Sequence, residues 1–205
     1  KALLGKPMIA YSIEAALESS AIDKIIVSTD SQEIAEVALE YGAEVPFLRP
    51  SYLASDTAMA IDNYLYTIDR LQKEAGLVVD DFCVLQPTSP LRLASDIDAA
   101  VEIFLNNKAD SVISFCEEQH PVSWHKYIEK DGRLMDVFSN HVLKNRQEFK
   151  PTFYPNGAIY VFKSSLIRLG NYYSDNTFSY VMPRNRSVDI DVLDDFNLAE
   201  YLIGN

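Results

Sequence analysis

Two aspartates separated by one residue are the clearest candidates for chemistry in this sequence. Asp189 and Asp191 alternate with β-branched residues in the stretch 188–192, and on an extended strand alternate side chains point to the same face. Two neighbouring carboxylates repel each other, and burying either one without a partner is costly. A hard cation such as Mg²⁺ relieves this repulsion, because it binds one or two carboxylates together with phosphate oxygens and water. The alternation alone also fits a solvated edge strand whose acids face water.

A second group of candidate side chains lies in a loop that contains two prolines. The apolar run 82–85 predicts a buried strand, the stretch QPTSPLR follows at 86–92, and a helical pattern begins at Ala94. Ligands of open α/β sheets bind outside the carboxyl ends of the strands. The loop would therefore present the amide of Gln86, two hydroxyls and the guanidinium of Arg92 to a ligand, while its prolines reduce the cost of ordering. An ordinary strand-to-helix connector has the same pattern.

These residues need a scaffold, which the rest of the sequence predicts. Apolar residues at helical spacing alternate with short β-branched runs, and this alternation predicts βαβ units with a mainly parallel central sheet. The region 44–55, which contains Pro46 and Pro50, is expected to be a loop that borders a cleft. Helices are expected at 7–19, 34–41, 61–71, 94–105, 164–169 and from 194 onward, and strands at 25–28, 82–85, 111–116, 159–162 and 178–182.

The composition limits the class of protein. A chain of 205 residues with 48% hydrophobic residues is expected to form one domain with a sizeable core. Its formal net charge of −12 argues against non-specific binding to nucleic acid, which needs clustered Lys and Arg. The apolar runs are too short to span a bilayer, no signal-peptide pattern opens the chain, and Cys83 and Cys116 lie in apolar runs that suit reduced thiols. These features predict a cytoplasmic protein that has no membrane partner.

Six segments resemble, in order, the acylneuraminate cytidylyltransferase family, which makes CMP-activated sialic acids and related nine-carbon sugars. They are GKPMIAYSIEAAL at 5–17, VSTDSQEIA at 27–35, RPSYLASDTA at 49–58, LQPTSPLR at 85–92, YPNGAIYVF at 154–162 and VDIDVLDDF at 188–196. The resemblance covers nearly the whole chain. It implies a single Rossmann-like, three-layer α/β nucleotidyltransferase domain over 1–205, with a mainly parallel, mixed central sheet. The region 117–155, which breaks the alternation of helices and strands, would project as a dimerisation excursion; a flexible surface flap is the alternative.

For the nucleotide, the resemblance implies contacts from one loop and from the two aspartates. Arg49 and the stretch that runs to Ala58 would contact the cytidine of CTP, much of it through the backbone. Asp56 would accept a hydrogen bond there or cap the helix that follows. Asp189 and Asp191 would bind Mg²⁺ beside the triphosphate. Each of these residues also has an ordinary structural explanation, since an isolated loop arginine is usually a surface charge and a lone Asp before a helix is usually a cap.

For the sugar, the resemblance implies a second set of contacts. Gln86 would touch the sugar acid at the floor of the site, and its amide can both donate and accept. Arg146 matches an arginine associated with the sugar, whose carboxylate a guanidinium can bind through two hydrogen bonds. Tyr160 and the pair Tyr172 and Tyr173 could form a wall for the N-acyl group. The alternatives are core packing for Tyr160 and exposed surface aromatics for the pair.

The resemblance implies one reaction, with alternatives. CMP would pass from CTP to the anomeric hydroxyl of an acidic, sialic-acid-like nine-carbon keto-acid sugar, with release of pyrophosphate, in a homodimeric enzyme. The same transfer to an eight-carbon keto-acid is one alternative, and a non-catalytic nucleotide-binding protein of the same fold is another. The sequence does not distinguish sialic, legionaminic and pseudaminic acids, nor does it identify the general base.

Two features depart from the family pattern. The family's basic Gly-rich phosphate loop is absent from this sequence, which begins at Lys1, and we expect a longer native polypeptide to carry that loop upstream. A family lysine after His120 has no clear counterpart, since Ser123 lies near its position and Lys126 just beyond.

Overall fold

A computed structural model describes residues 1–55, 57–138 and 145–204. Helices and strands alternate through most of the chain, as the pattern of apolar residues predicts. The elements, in chain order, are β1 (Ala2–Leu3), β2 (Lys6–Pro7), α1 (Met8–Glu18), α2 (Gln32–Glu40), α3 (Ala60–Ala75), β3 (Asp81–Val84), α4 (Ala94–Asn107), β4 (Ser111–Glu117), β5 (Lys126–Ile128), β6 (Leu134–Asp136), β7 (Phe153–Lys163), α5 (Ser164–Arg168), β8 (Thr177–Val181) and α6 (Leu193–Gly204).

Four strands form a mixed central sheet in the order β3-β7-β4-β8. The long strand β7 pairs antiparallel with both β3 and β4, whereas β8 pairs parallel with β4. Three strands therefore run in one direction and only β7 opposes them. Because of this arrangement, the carboxyl ends of β3, β4 and β8 meet at a single edge of the sheet.

Helices cover both faces of this sheet and make three layers. Side chains alternate along β7, so that Ile159 and Val161 pack with α1 and α4 while Tyr160 and Phe162 pack on the other face with α3 and α5. Burying each large apolar side chain of this kind contributes about 1.5–3 kcal/mol. The predicted three-layer α/β architecture is confirmed.

The segment predicted as a strand at 25–28 forms only a single parallel bridge, between Ile26 and Glu44. Glu44 N–H donates to the carbonyl of Ile25, and Val27 N–H donates to the carbonyl of Glu44, both at 2.9 Å. The next donor in a parallel ladder would be residue 46, which is Pro46 and has no N–H. The ladder stops there, although the segment still packs in the cluster that joins α1 to α2.

The segment 188–192 is also not a strand, so the predicted alternation of two strand carboxylates is wrong. It runs as irregular backbone that docks on the loop after β3 through Ile190 N–H, which donates to the carbonyl of Thr88 at 2.8 Å. The final helix begins at Leu193. Asp195 accepts hydrogen bonds from the N–H groups of Asp191 and Val192, at 3.1 and 3.0 Å.

The region 117–155 leaves the sheet from β4 and returns into β7, and the two ends lie side by side. Glu117 pairs with Phe153, and Glu118 N–H donates to the carbonyl of Thr152 at 2.8 Å. Beyond this neck, β5 and β6 form an antiparallel hairpin, whose turn includes Gly132 with φ +85°. The turn is closed by Gly132 N–H, which donates to the carbonyl of Glu129 at 2.9 Å.

Two predictions from composition can be compared with these ranges. Both cysteines are free, and Cys116 is buried at the end of β4. Within 1–55, 57–138 and 145–204, no helix combines the length and the apolar character needed to cross a membrane.

Candidate active site

The candidate site lies at the edge of the sheet where β3, β4 and β8 end. Gln86 follows β3 directly, as the sequence predicts for a ligand-binding loop. The strand β7 runs the other way and passes through the same region with the residues that follow Pro155. The docked segment 188–192 brings Asp189 to this place from the end of the chain.

A bulge in β7 shapes the site. Ile113 of β4 is paired with Tyr160, but Phe115 is paired with Pro155, so Ser114 alone faces the four residues 156–159. The hydroxyl of Ser114 donates to Asn156 Oδ1 at 2.6 Å and accepts from Ile159 N–H at 2.8 Å. One serine thereby satisfies the backbone and side-chain groups that the bulge removes from the ladder.

Asn156 is 2% exposed and every polar atom of its side chain has a partner. Its Nδ2 donates to Ser187 Oγ at 2.9 Å and lies 3.3 Å from the sulfur of Met182, and its Oδ1 also accepts from Ala158 N–H at 3.3 Å. Its carbonyl oxygen accepts from Ser89 Oγ at 3.4 Å. Asn156 therefore contacts both the loop that carries Gln86 and the segment that carries Asp189.

Three side-chain oxygens converge on the next residue, Gly157, whose φ is +77°. A Cβ at this position would lie 2.6 Å from Gln86 Oε1, 3.0 Å from Asp189 Oδ2 and 3.3 Å from Ser89 Oγ. The absence of a side chain at Gly157 therefore lets an amide oxygen, a carboxylate oxygen and a hydroxyl share one small region. Gln86 and Asp189, which the sequence assigned to the sugar and to the metal, are neighbours.

Asp189 has the character of a ligand for a cation. Its Oδ1 is buried and has no hydrogen-bond partner among the described residues. An unsatisfied carboxylate oxygen is costly to bury, and a divalent cation would satisfy it. Asp191 is exposed, and no group of three or more His, Cys, Asp or Glu side chains is placed to hold a metal in the described ranges. Asp189 thus fits a Mg²⁺ site in which nucleotide and water supply other ligands.

Arg92 does not face a ligand, and that expectation is wrong. Its side chain is 2% exposed and points into the protein, where Nε donates to the carbonyl of Ala158 at 2.8 Å and Nη1 donates to Ser12 Oγ at 2.7 Å. Nη2 donates to the carbonyl of Gln86. Burial lowers the pKa of the Arg92 guanidinium to about 10, although Cys83 and nearby carboxylates oppose that shift. Arg92 supports the loop from beneath.

The predicted nucleotide residues lie in a different loop. Arg49 is half-buried, and its N–H donates to the carbonyl of Thr29 at 2.7 Å, next to the end of the bridged segment 25–28. Its Nε is buried without a partner among the described residues. Ala58 is half-buried, and its N–H donates to the carbonyl of Ser55 at 2.9 Å. Asp56 lies outside the described residues.

The predicted sugar residues are divided between two places. Tyr160 is half-buried; burial raises the pKa of its phenol, and so do Tyr173, Asp189 and Tyr172 nearby. The ring of Tyr160 also stacks on Phe162 at 5.9 Å between centroids, which agrees with the core-packing alternative. Tyr173 is exposed.

Arg146 is exposed and lines an open cleft of about 560 Å³ at the ends of β4 and β8. Glu117 and Arg184 line the same cleft. None of the three oxygens that meet at Gly157 belongs to a residue that lines this cleft.

Three residues of the site were not singled out from the sequence. Asn156 and Gly157 form an Asn-Gly pair directly before the apolar run 158–162, and glycine within a strand often marks a bulge or a close approach of other groups. The Asn-Gly pair is therefore a sequence signal for the bulge in β7. Ser187 carries no comparable signal, because its role depends on how two distant segments dock, whereas Ser89 is one of the two hydroxyls expected in the loop after β3.

Comparison with known proteins identifies the family of this chain. The profile of the family described as Cytidylyltransferase matches residues 1–198. The chain is 36% identical to an N-acylneuraminate cytidylyltransferase of Streptococcus agalactiae over 198 residues, which cover 95% of this chain and 46% of that protein. It is also 36% identical to the CMP-N,N'-diacetyllegionaminic acid synthase of Legionella pneumophila, with 98% and 87% covered. The chain thus spans about half the length of the first relative and most of the second.

The fold has a solved counterpart. The structure of CMP:2-keto-3-deoxy-manno-octonic acid synthetase complexed with CTP superposes with a TM-score of 0.71, at 12% identity, over 100% of this chain and 90% of that one. This likeness shows a shared Rossmann-like nucleotidyltransferase fold. Taken with the match over 1–198, it gives the assignment that the chain belongs to the cytidylyltransferase family.

Proposed function

We propose that this protein transfers CMP from CTP to the anomeric hydroxyl of a nine-carbon keto-acid sugar and releases pyrophosphate. The observation that carries this proposal is the convergence of Gln86 Oε1, Asp189 Oδ2 and Ser89 Oγ on Gly157. The convergence lies at the carboxyl edge of the sheet, in a chain of the cytidylyltransferase family. Transfer of this type depends mostly on positioning the reactants and neutralising charge.

Asp189 and Asp191 would hold Mg²⁺, and the buried, unpaired Oδ1 of Asp189 supports this assignment. When bound, the cation would neutralise charge on the phosphate oxygens of CTP. The chain's own part is to hold the carboxylates where the triphosphate arrives. Arg49, whose Nε is buried without a described partner, would donate to the nucleotide together with the backbone near Ala58.

Gln86 would orient the sugar acid. Its backbone carbonyl is fixed by Arg92 and its amide oxygen lies against Gly157, so the NH₂ end can donate to an acceptor on the sugar. Tyr160 would border the same space, whereas Arg146 and the exposed Tyr173 would have to reach the sugar from the cleft beside it. This division predicts that Gln86 affects turnover more strongly than Arg146 does.

A nine-carbon sugar is favoured over the eight-carbon alternative by the comparisons. Relatives that are 36% identical are named for N-acylneuraminate and diacetyllegionaminic acid. The eight-carbon octonic acid synthetase shares the fold at 12% identity, which carries no information about substrate.

The test is pyrophosphate release by the full-length protein with Mg²⁺ and CTP across a panel of nine- and eight-carbon keto-acid sugars. We expect release with one nine-carbon acid, with CTP and not with ATP, and a loss of about 100-fold in kcat for Gln86→Ala. Arg168→Ala, at an exposed ion pair, is the matched surface control. Folded protein that binds CTP but releases no pyrophosphate with any sugar would support the non-catalytic alternative instead.

We also propose that the protein is a homodimer assembled through the region 117–155. Support comes from the hairpin of β5 and β6, which pairs only with itself among the described strands and exposes Tyr127, Ile128, Leu134 and Met135. Four exposed apolar side chains on one short hairpin favour an interaction surface. A second copy of the chain is the partner that the family resemblance implies.

A further inference from the structure

We infer that the buried hydrogen-bonded chain Ser187–Asn156–Ser89 is a positioning device that sets the distance between Asp189 and Gln86. This inference deepens the proposed function and rests on it for the chemistry, although the geometry stands by itself. The three residues lie on three separate segments: the stretch before Asp189, the bulge of β7 and the loop after β3. Neither Ser187 nor Asn156 needs to touch a substrate.

The first step of the argument is that the functional groups have few restraints of their own. Asp189 Oδ1 is buried and without a hydrogen-bond partner among the described residues. The position of this carboxylate therefore depends on the backbone that carries it. That backbone is held two residues upstream by Ser187 and one residue downstream by Ile190 N–H, which donates to Thr88.

The second step is that Asn156 joins the segment before Asp189 to the loop after β3. Its Nδ2 donates to Ser187 Oγ at 2.9 Å, and its carbonyl accepts from Ser89 Oγ at 3.4 Å. Ser89 lies three residues after Gln86, and Ser89 N–H donates back to the Gln86 carbonyl at 3.2 Å. A shift at Asn156 would thus be transmitted to both segments at once.

The third step is that Asn156 is itself immobilised. Ser114 of β4 donates to its Oδ1 at 2.6 Å, and the side chain is 2% exposed. A buried polar network whose members are all satisfied is rigid and specifies one arrangement. Only an amide supplies both the acceptor for Ser114 and the donor for Ser187 at this length, since Asp lacks the donor and Gln is one methylene longer.

The test uses two serine-to-alanine variants of the full-length protein that are matched in chemistry. Ser187 Oγ makes two hydrogen bonds, from Asn156 Nδ2 and to the carbonyl of Pro183, both at 2.9 Å. Ser111 is also buried and also makes two, to the carbonyl of Tyr172 at 2.9 Å and with Thr177 Oγ1 at 2.8 Å. It lies at the first residue of β4, whereas the candidate site lies where β4 ends. Ser111→Ala is therefore the control for losing a buried hydroxyl.

We expect Ser187→Ala to lower kcat by about 10-fold or more, with KM for CTP changed less than about 2-fold, as for residues that orient a catalytic ligand. Ser111→Ala should lower the urea midpoint about as much as Ser187→Ala does, and it should keep kcat within about 2-fold of the wild type. Equal kcat values in the two variants, corrected for folded fraction, would overturn the inference.

A second measurement does not depend on turnover. Crystal structures of the wild type and of both variants give the distance between Asp189 Oδ2 and Gln86 Oε1 directly. We expect that distance to change by about 0.5 Å or more in Ser187→Ala alone, a displacement that matters for an active constellation. If the wild type transfers no CMP, the proposed function fails while this distance still decides the positioning role. An unchanged distance would refute that role whatever the activity.

Discussion

The two aspartates of the 188–192 segment have different surroundings. We therefore expect substitutions at the two positions to affect the packing of the protein differently. Asp189 is half-buried, with one oxygen that lacks a partner, whereas Asp191 is exposed and contributes only its N–H to the capping of α6. The sequence pattern treats them as equivalent. In the folded protein, Asp189 is part of the packed site, while Asp191 can be changed with little effect on the packing around it.

Asp191→Asn therefore tests the metal assignment without unfolding the protein. We expect kcat at low Mg²⁺ to fall on the order of 100-fold, because half of the protein charge assigned to the cation is removed. The urea midpoint should hardly change, since the side chain is exposed.

Asp194→Asn removes the same charge three residues away and serves as the control, with expected activity close to that of the wild type. Near-normal turnover of Asp191→Asn at low Mg²⁺ would contradict the assignment of Asp191 to the metal.

Arg92 is a residue whose importance lies in stability. Its guanidinium is buried and donates to Ala158, Ser12 and Gln86. In Arg92→Met these acceptors would lose their donor in the interior, so we expect about 3–5 kcal/mol of lost unfolding free energy in urea titration. Arg168→Met breaks only an exposed ion pair with Asp69 and should cost less than about 1 kcal/mol. Similar losses of unfolding free energy in both variants would show that the buried hydrogen bonds of Arg92 do not stabilise the protein.

At the scale of elements, one ion pair joins the start of α4 to the segment that leads to Asp189. Asp96 is fully buried and accepts from Arg186 Nε and Nη2, at 3.0 and 2.7 Å, and from the hydroxyl of Tyr180 at 2.8 Å. It also accepts from Leu93 N–H at 2.9 Å, at the start of its own helix. The pair therefore fixes the direction in which the chain leaves β8 and approaches the site.

This arrangement predicts a pH dependence of stability. Burial disfavours the charged form of Asp96, but the hydrogen bonds from Arg186, Leu93 and Tyr180 outweigh it, and the pKa of Asp96 lies below its ordinary 3.8. A carboxyl with a lowered pKa in the folded state stabilises the protein above its unfolded pKa, and the stabilisation is lost as the pH falls through the folded pKa. The contribution should be constant at neutral pH and decline below about pH 4.

Asp96→Asn is the corresponding variant. We expect it to be less stable than the wild type by about 3 kcal/mol at pH 7 and the difference to shrink as the pH falls below about 4, because the wild-type carboxyl then becomes neutral too. Urea titrations across this pH range give both quantities. A difference that stays constant down to pH 2 would show that the Asp96 charge is not responsible.

The elements themselves could largely be predicted, because periodic apolar residues decide them. The helices and the strands of the central sheet follow from spacing, and Gly76 ends α3 in the left-handed region at φ +63°. The failures have local causes. Pro46 ends a ladder that β-branched residues favour at 25–28, and docking on Thr88 makes 188–192 irregular despite its alternation.

The site was less predictable than the elements. Gln86 and Asp189 could be chosen from their types and positions, but their contact across Gly157 depends on a bulge and on loop docking, neither of which is periodic. The expectation that Arg92 faces a ligand is wrong because the sequence of an arginine after a strand is the same whether its side chain faces a ligand or the core. The inward direction is set by three acceptors from distant parts of the chain: Ala158 O, Ser12 Oγ and Gln86 O.

At the scale of the whole molecule, the excursion determines how two copies could meet. Ile128 and Leu134 are direct partners across the hairpin, and they are 75% and 66% exposed. Replacing them with Lys and Glu would remove the apolar contact while a cross-strand ion pair preserves the hairpin. We expect the dimer dissociation constant of the double variant Ile128→Lys, Leu134→Glu, measured by sedimentation equilibrium, to rise at least about 100-fold. Each aliphatic side chain buried at the interface contributes about 1.5–3 kcal/mol.

Leu169→Lys changes a leucine that is also 75% exposed but lies outside the excursion, and the association constant of this control should match the wild type. A wild type that is monomeric at micromolar concentration, or a double variant that associates as tightly as the wild type, would contradict assembly through the hairpin.

The crowding around Gly157 also limits which sequences can encode this protein. If codons 76 and 157 are each fully randomised and active clones are selected, the two positions should behave differently. Both have a positive φ, yet a side chain at 76 would meet nothing within 4 Å, so asparagine should survive there beside glycine. At 157 any side chain would begin 2.6 Å from Gln86 Oε1, and glycine alone should be recovered. No amino-acid replacement at 157 would then be selectively neutral.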